Sequence, residues 1–194
     1  MDAGTSFVYM LKQPGGIVKI LIGGLLLIIP IFGWCVVLGY ALRTMRGVAA
    51  GDEQLPEWSD WGDLFVKGLI VAVAGIIYGI PGMILSRVGV LGSLLSVVWS
   101  IAVWIVLPSA VLRYVVTDNF GAFFEFNAII DFIKANANNY ILAIVLALVA
   151  GFLSGFGLIL LIIGVLFTYF WAALVYAHLF GSVYRASLAT SPAV

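Results

Sequence analysis

Charged residues are spaced so widely along this chain that they rule it into apolar windows. Twenty-three uncharged residues lie between Lys19 and Arg43, nineteen between Lys67 and Arg87, and twenty-five run from Val88 to Leu112. As helices rising 1.5 Å per residue, these windows cover about 35, 29 and 38 Å, enough for a ~30 Å hydrocarbon core. A fourth window, between Lys134 and Arg185, holds fifty residues with no formal charge if His178 is neutral. One helix of that length would reach about 75 Å, so the window predicts two spans and a reversal. Gly151, Gly155, Gly157 and Gly164 put that reversal between Ser154 and Gly164. The pattern predicts an all-α, polytopic integral membrane protein, a bundle of about five transmembrane helices. The spans are expected near 18–42, 67–85, 88–113, 139–157 and 160–184, in a single transmembrane domain over 1–194. Pro30, Pro81 and Pro108 fall within or near the ends of three spans, and Pro30 is expected to kink the first.

Two polar intervals interrupt the apolar pattern, and both predict short amphipathic helices lying at a membrane interface, about 55–65 and 120–134. In the first, Leu55-Pro56-Glu57 reads as a helix start, because proline suits the first helical position. Trp58, Trp61 and Phe65 then recur at helical spacing as an interfacial anchor, and Glu57, Asp60 and Asp63 group beside them as an acidic belt. In the second, Phe126, Ile129, Ile130 and Ile133 line one face, while Asn127, Asp131 and Lys134 line the other.

Composition supports lipid as the solvent: 64% of residues are hydrophobic and 9% charged, against about 25% charged in a soluble domain. The first apolar run is longer than a signal-peptide core and is expected to remain as a span. A net charge of zero argues against a nucleic-acid partner. The single cysteine, Cys35, permits no internal disulfide and predicts a buried, inert thiol.

Three spans end alike, at Tyr40-Ala41-Leu42-Arg43, Ala110-Val111-Leu112-Arg113-Tyr114 and Ser182-Val183-Tyr184-Arg185. An aromatic ring beside an arginine suits the interface, and a cation suits the negative end of a helix dipole. With five spans, Arg43, Arg46, Lys67, Arg113, Lys134 and Arg185 share one side, and Lys12, Lys19 and Arg87 the other. By the positive-inside rule the C-terminus and both long loops are then cytoplasmic and the N-terminus outside. Glu57, Asp60 and Asp63 should face water or the basic span ends, with Arg43 and Arg113 the nearest partners.

Candidate chemistry is sparse. Carboxylates at i, i+3 and i+6 wind around a helix and do not converge on a metal ion. No Ser-His-Asp arrangement, phosphate-cradling loop or redox motif is present, so neither catalytic residues nor a cofactor is expected. His178, within the last span, is an intramembrane polar candidate and is expected to hydrogen-bond a neighbouring helix. Gly75 with Gly79, and Gly151 with Gly155, are small-xxx-small patterns for close helix packing.

The run "LPEWSDWGDLFVKGL", preceded by Gly39-Tyr40 and Leu42-Arg43 and followed by "IYGIP", resembles a family of bacterial and archaeal polytopic membrane proteins, domain of unknown function 4013. The resemblance extends to "KILIGGLLLIIP", "FGAFFEF" and "VYAHLFGSVYR". It implies a membrane architecture, with a prokaryotic plasma membrane as the expected location, and supplies no catalytic residues. The expected function is that of a non-enzymatic scaffold, accessory subunit or lipid-interacting bundle. Its expected partners are the lipid bilayer and a second copy or another membrane protein. An oligomeric channel or facilitator for small or hydrophobic solutes is the alternative, and a lipid-acting intramembrane enzyme ranks below both.

Overall fold

The computed structural model describes residues 3–156 and 161–190, and their regular structure is helical throughout. The helices are α1 (Ala3–Val8), α2 (Gly16–Leu26), α3 (Phe32–Ala49), α4 (Trp61–Leu85), α5 (Gly89–Thr117), α6 (Phe126–Ala135), α7 (Ala137–Gly155) and α8 (Leu161–Thr190). Short 3₁₀ turns cover Tyr9–Lys12 and Phe120–Phe124. Helices α4, α5, α7 and α8 are long and apolar enough to cross a membrane. Their outward faces are greasy: Leu91 on α5 is 71% exposed and Phe152 on α7 is 72% exposed. A patch of this extent is foreign to a water-facing monomer and natural in lipid. Pro81 and Pro108 lie inside α4 and α5 without ending either helix. The reversal between α7 and α8 follows Gly155, and its residues 157–160 lie outside the described ones.

The first apolar window departs from expectation: it forms two helices folded back on one another, where one kinked span was expected. Helix α2 stops at Leu26 and α3 starts at Phe32. Pro30 supplies no N–H and disfavours a helical residue before it, while Ile31 sits at φ 63°, strained for a β-branched side chain. Both arms return to one level. The Lys19 ammonium donates to the Leu55 carbonyl at 2.8 Å, and the Tyr40 hydroxyl donates to the Pro56 carbonyl at 2.7 Å. Arg43 donates to the Ser59 carbonyl at 2.9 Å. A straight helix would hold Lys19 and Arg43 about 36 Å apart. Here one stretch, Leu55–Ser59, touches both. The hairpin therefore enters and leaves at the same end of the molecule. From Lys19 to Leu26 it covers only about 10 Å before turning, so the described residues form four helices long and apolar enough to span a membrane and a helical hairpin, where about five spans were expected.

This changes which charges share an end. Gln13 donates to the Glu53 carbonyl, and its side-chain oxygen accepts from the Leu55 amide at 2.6 Å, bringing Lys12 to the same end as Lys19. Eight of the nine basic residues thus gather at one end, and Arg87, between α4 and α5, is at the other. The N-terminal segment, expected across the membrane from Arg185, instead packs on α8. Phe7 lies against Trp171 with ring centroids 5.8 Å apart, and Ser6 hydrogen-bonds His178.

Helix α3 is the central element, with buried residues on all its sides. It runs antiparallel to α4 at backbone contact. A Cβ added to Gly39 would meet the Leu64 carbonyl oxygen at 1.9 Å, and one added to Gly68 would meet that of Cys35 at 1.8 Å. It runs parallel to α8, with Met45 and Val48 against Gly181. Gly23 and Gly24 of α2 lie against the Phe170 and Phe167 rings of α8. Helix α7 lies antiparallel to α8, joined by a 2.7 Å hydrogen bond from the Thr168 hydroxyl to the Ser154 carbonyl.

Of the two expected interfacial helices, the second forms, as the Phe120–Phe124 turn and α6. The first does not: Asp52–Asp60 is irregular, Asp60 has φ 54°, and helix begins only at Trp61. The carbonyls of Leu55, Pro56 and Ser59 accept from Lys19, Tyr40 and Arg43, so tertiary donors take the acceptors that a helix would have used.

Candidate functional site

The chemistry of this protein is concentrated in an ionic layer where α3, α5 and α8 end and α2, α4 and α7 begin. Each of the three span-terminal arginines has a carboxylate partner. Arg43 reaches Asp63 at 3.1 Å and Asp60 at 3.9 Å, Arg113 pairs with Glu125, and Arg185 reaches Glu53 at 2.7 Å. Arg113 is therefore not a partner of the acidic belt, because Glu125 at the start of α6 occupies it. Glu57 pairs with Lys19 at 2.7 Å, an ammonium expected at the opposite end and brought here by the hairpin. Lys67 lies 3.5 Å from Asp63, one helical turn back, and 3.7 Å from Asp118.

The aromatic residues of the opening run have separate surroundings. Trp58 is a half-buried wedge. Its ring stacks on Tyr40 at 4.0 Å and lies 5.7 Å from Phe170, and its indole N–H donates to the Lys19 carbonyl at 3.3 Å. It thereby joins α2, α3 and α8. Trp61 is exposed and lies 5.7 Å from Trp58, and Phe65 stacks on Phe32 near the hairpin turn at 5.5 Å.

A pocket of about 240 Å³ opens in this layer between α3, α4 and α5. Arg43, Arg46, Lys67, Asp63, Asp118 and Tyr114 form its polar wall. Charge spacing in the sequence could not show it, because Asp118 meets Lys67 and Arg46 only through the packing of three helices.

His178 is buried in α8. Its Nδ1 lies 2.9 Å from the Ser6 hydroxyl, and the Tyr9 ring lies tilted against it with centroids 4.3 Å apart. The partner comes from the N-terminal segment. The His178 Nε2 and the Tyr9 hydroxyl are both buried without a hydrogen-bond partner among the described residues. Burial holds the Tyr9 phenol neutral, well above its usual titration range. Cys35 is buried beside Gly68. Gly75, Gly79, Gly151 and Gly155 have open space where a Cβ would stand. The close backbone approach of α3 to α4 belongs instead to Gly39 and Gly68, which sit in no small-xxx-small pair with one another.

Comparison with known proteins gives a family. A family model described as "Protein of unknown function (DUF4013)" matches residues 22–94 and 82–165. A curated relative, an uncharacterized protein of Methanocaldococcus jannaschii, is 32% identical over 148 residues, 63% of this chain and 51% of that protein. The chain thus spans about half the length of the curated relative it matches. No solved structure matches the chain. The matched stretches take in most of the hairpin, the Leu55–Ser59 strap, α4 through α7 and most of the ionic layer, and this chain belongs to the DUF4013 family of proteins of unknown function.

Proposed function

We propose that this protein is a non-enzymatic, lipid-interacting membrane scaffold whose ionic layer lies at the cytoplasmic headgroup level and whose re-entrant hairpin wedges into that leaflet alone. The observation carrying this reading is the hairpin turn. It exposes Ile28, Ile29, Ile31, Phe32 and Trp34, yet it bonds most of its own backbone. The Ile28, Ile29 and Gly33 amides donate to Leu25, Leu26 and Ile29, and the Trp34 indole donates to the Leu27 carbonyl at 3.1 Å. An unpaired backbone group in hydrocarbon costs several kcal/mol. A turn that satisfies itself and presents aliphatic side chains outward is suited to lipid. Eight basic residues at one end against one at the other support this orientation, a wider margin than five spans would leave.

The test is the depth of the turn. A fluorophore on a cysteine replacing Ile29, in a Cys35→Ala chain reconstituted into vesicles, should be quenched by lipids brominated along the acyl chains of one leaflet. Quenching by aqueous iodide instead would sink the wedge. Ion or small-solute flux above that of empty vesicles would favour the channel alternative.

A further inference from the structure

The pocket between α3, α4 and α5 is rich in donors that the protein does not use. Its wall holds three cations and two carboxylates. Both carboxylates are occupied: Asp63 lies between Arg43 at 3.1 Å and Lys67 at 3.5 Å, and Asp118 between Arg46 at 3.5 Å and Lys67 at 3.7 Å. Arg43 is committed as well, donating to the Ser59 carbonyl and hydroxyl and to Asp63.

The other donors are not. The Lys67 ammonium carries three N–H groups, yet makes only its two long ion pairs and no hydrogen bond among the described residues. Arg46 spends its Nε on the Val115 carbonyl at 2.7 Å, leaving its terminal nitrogens facing Asp118 from 3.5 Å. Tyr114 is only 3% exposed and lines the pocket, and its hydroxyl has no hydrogen-bond partner among the described residues. The charged groups around that hydroxyl are Asp118, Arg46 and Asp63, all in the pocket wall.

Surplus donors and a net positive wall suit a small oxyanion. A metal cation would instead have to displace lysine and arginine from both carboxylates. About 240 Å³ is room for roughly eight waters at ~30 Å³ each, more than one tetrahedral anion needs. Planar guanidinium and compact ammonium donors together match phosphate oxygens. We propose that this pocket binds a phosphate group, with Arg46, Lys67 and Tyr114 as its donors and Arg43 held in position by Asp63. The phosphate can come from a lipid headgroup or from solution. Only the lipid source rests on the membrane reading above.

The experiment uses the full chain purified in mild detergent. Binding of dioleoyl phosphatidic acid, of dioleoylglycerol with the same acyl chains, and of inorganic phosphate is measured by native mass spectrometry and titration calorimetry. Phosphatidic acid should be held more than tenfold tighter than dioleoylglycerol. Arg46→Gln and Lys67→Gln should each weaken phosphate binding about tenfold, and Tyr114→Phe by several-fold, as expected when a hydrogen bond to a charged group is lost. Asp118→Asn removes the negative charge that competes for Arg46 and Lys67 and should strengthen binding, a change in the opposite direction that misfolding would not mimic. Lys134→Gln, at the same end but outside the pocket, should behave as the parent.

Equal retention of dioleoylglycerol and phosphatidic acid together with no binding of inorganic phosphate, binding by Arg46→Gln and Lys67→Gln at the parental level, or weakening by Asp118→Asn would each overturn the proposal. If inorganic phosphate binds with this variant pattern while no lipid is retained, the pocket stands and the lipid-scaffold reading falls. If lipid is retained but is indifferent to every pocket variant, the pocket falls and the scaffold reading stands.

Discussion

Alanine at Gly68 should force α3 and α4 apart. The new Cβ would stand 1.8 Å from the Cys35 carbonyl oxygen and 2.7 Å from its carbon, whereas ordinary contact begins near 3.4 Å. The obstacle is backbone in the middle of a helix, which cannot rotate away like a side-chain tip, so the helices must separate by about 1.6 Å. That displacement opens the interface beside Leu64, which is fully buried against Gly39. Overpacking a well-packed interior costs about 1–3 kcal/mol, and a backbone clash belongs at the top of that range. Alanine regains about 1 kcal/mol of helix propensity over glycine. The net expectation is a loss of about 2 kcal/mol, or about 4–8 °C in Tm for a chain of this size. Gly75→Ala is the matched control: it lies in the same helix with nothing within 4 Å of its added Cβ, so only the propensity gain applies. Its Tm should hold or rise. Gly39→Ala repeats the clash against the Leu64 carbonyl, and the double variant should cost less than the two single losses combined, because the first already separates the helices. Thermal unfolding of all four variants in one detergent, followed by far-UV circular dichroism, is the assay. A Gly68→Ala protein as stable as the parent, or a Gly75→Ala protein that falls with it, would refute the reasoning.

Trp58→Ala should cost about 2–4 kcal/mol by the same assay, since the ring ties α2, α3 and α8 together, while Trp61→Ala should cost under about 1. Tyr9→Phe should leave stability unchanged or raise it, because it deletes a buried hydroxyl that has no partner among the described residues; a loss above about 1 kcal/mol would reveal a partner for that group. Glu57→Gln should change stability by no more than about 1 kcal/mol, its ion pair with Lys19 being exposed on the carboxylate side. In a Cys35→Ala chain, cysteines replacing Lys12 and Arg87 should react with an impermeant maleimide from opposite faces of sealed vesicles; reaction from one face would contradict the re-entrant hairpin.

Features whose physics is local were legible in the order of residues. Four spans follow from uninterrupted apolar length, since a chain too poor in charge for water must close its backbone hydrogen bonds as helix. Helix α6 follows from the helical spacing of Phe126, Ile129, Ile130 and Ile133, and the shared level of Arg43, Arg113 and Arg185 from the recurrence of an aromatic beside an arginine. Family membership, too, was legible in the Leu55–Leu69 run. The path of the first window was set by packing, because twenty-three uncharged residues are equally long whether straight or folded back. Pro30 weakens the helix, but the choice between a kink and a reversal depends on Phe167 and Phe170, which pack on Gly23 and Gly24 from a helix more than a hundred residues away. The same holds for Leu55–Ser59. Its local pattern is a good helix start, yet Lys19, Tyr40 and Arg43 offer its carbonyls stronger or better-placed donors than its own amides. The Asp118–Lys67–Arg46 grouping is likewise an outcome of packing. Periodicity reports which face of a helix is apolar; which carbonyl a distant lysine reaches is set by where the helices dock.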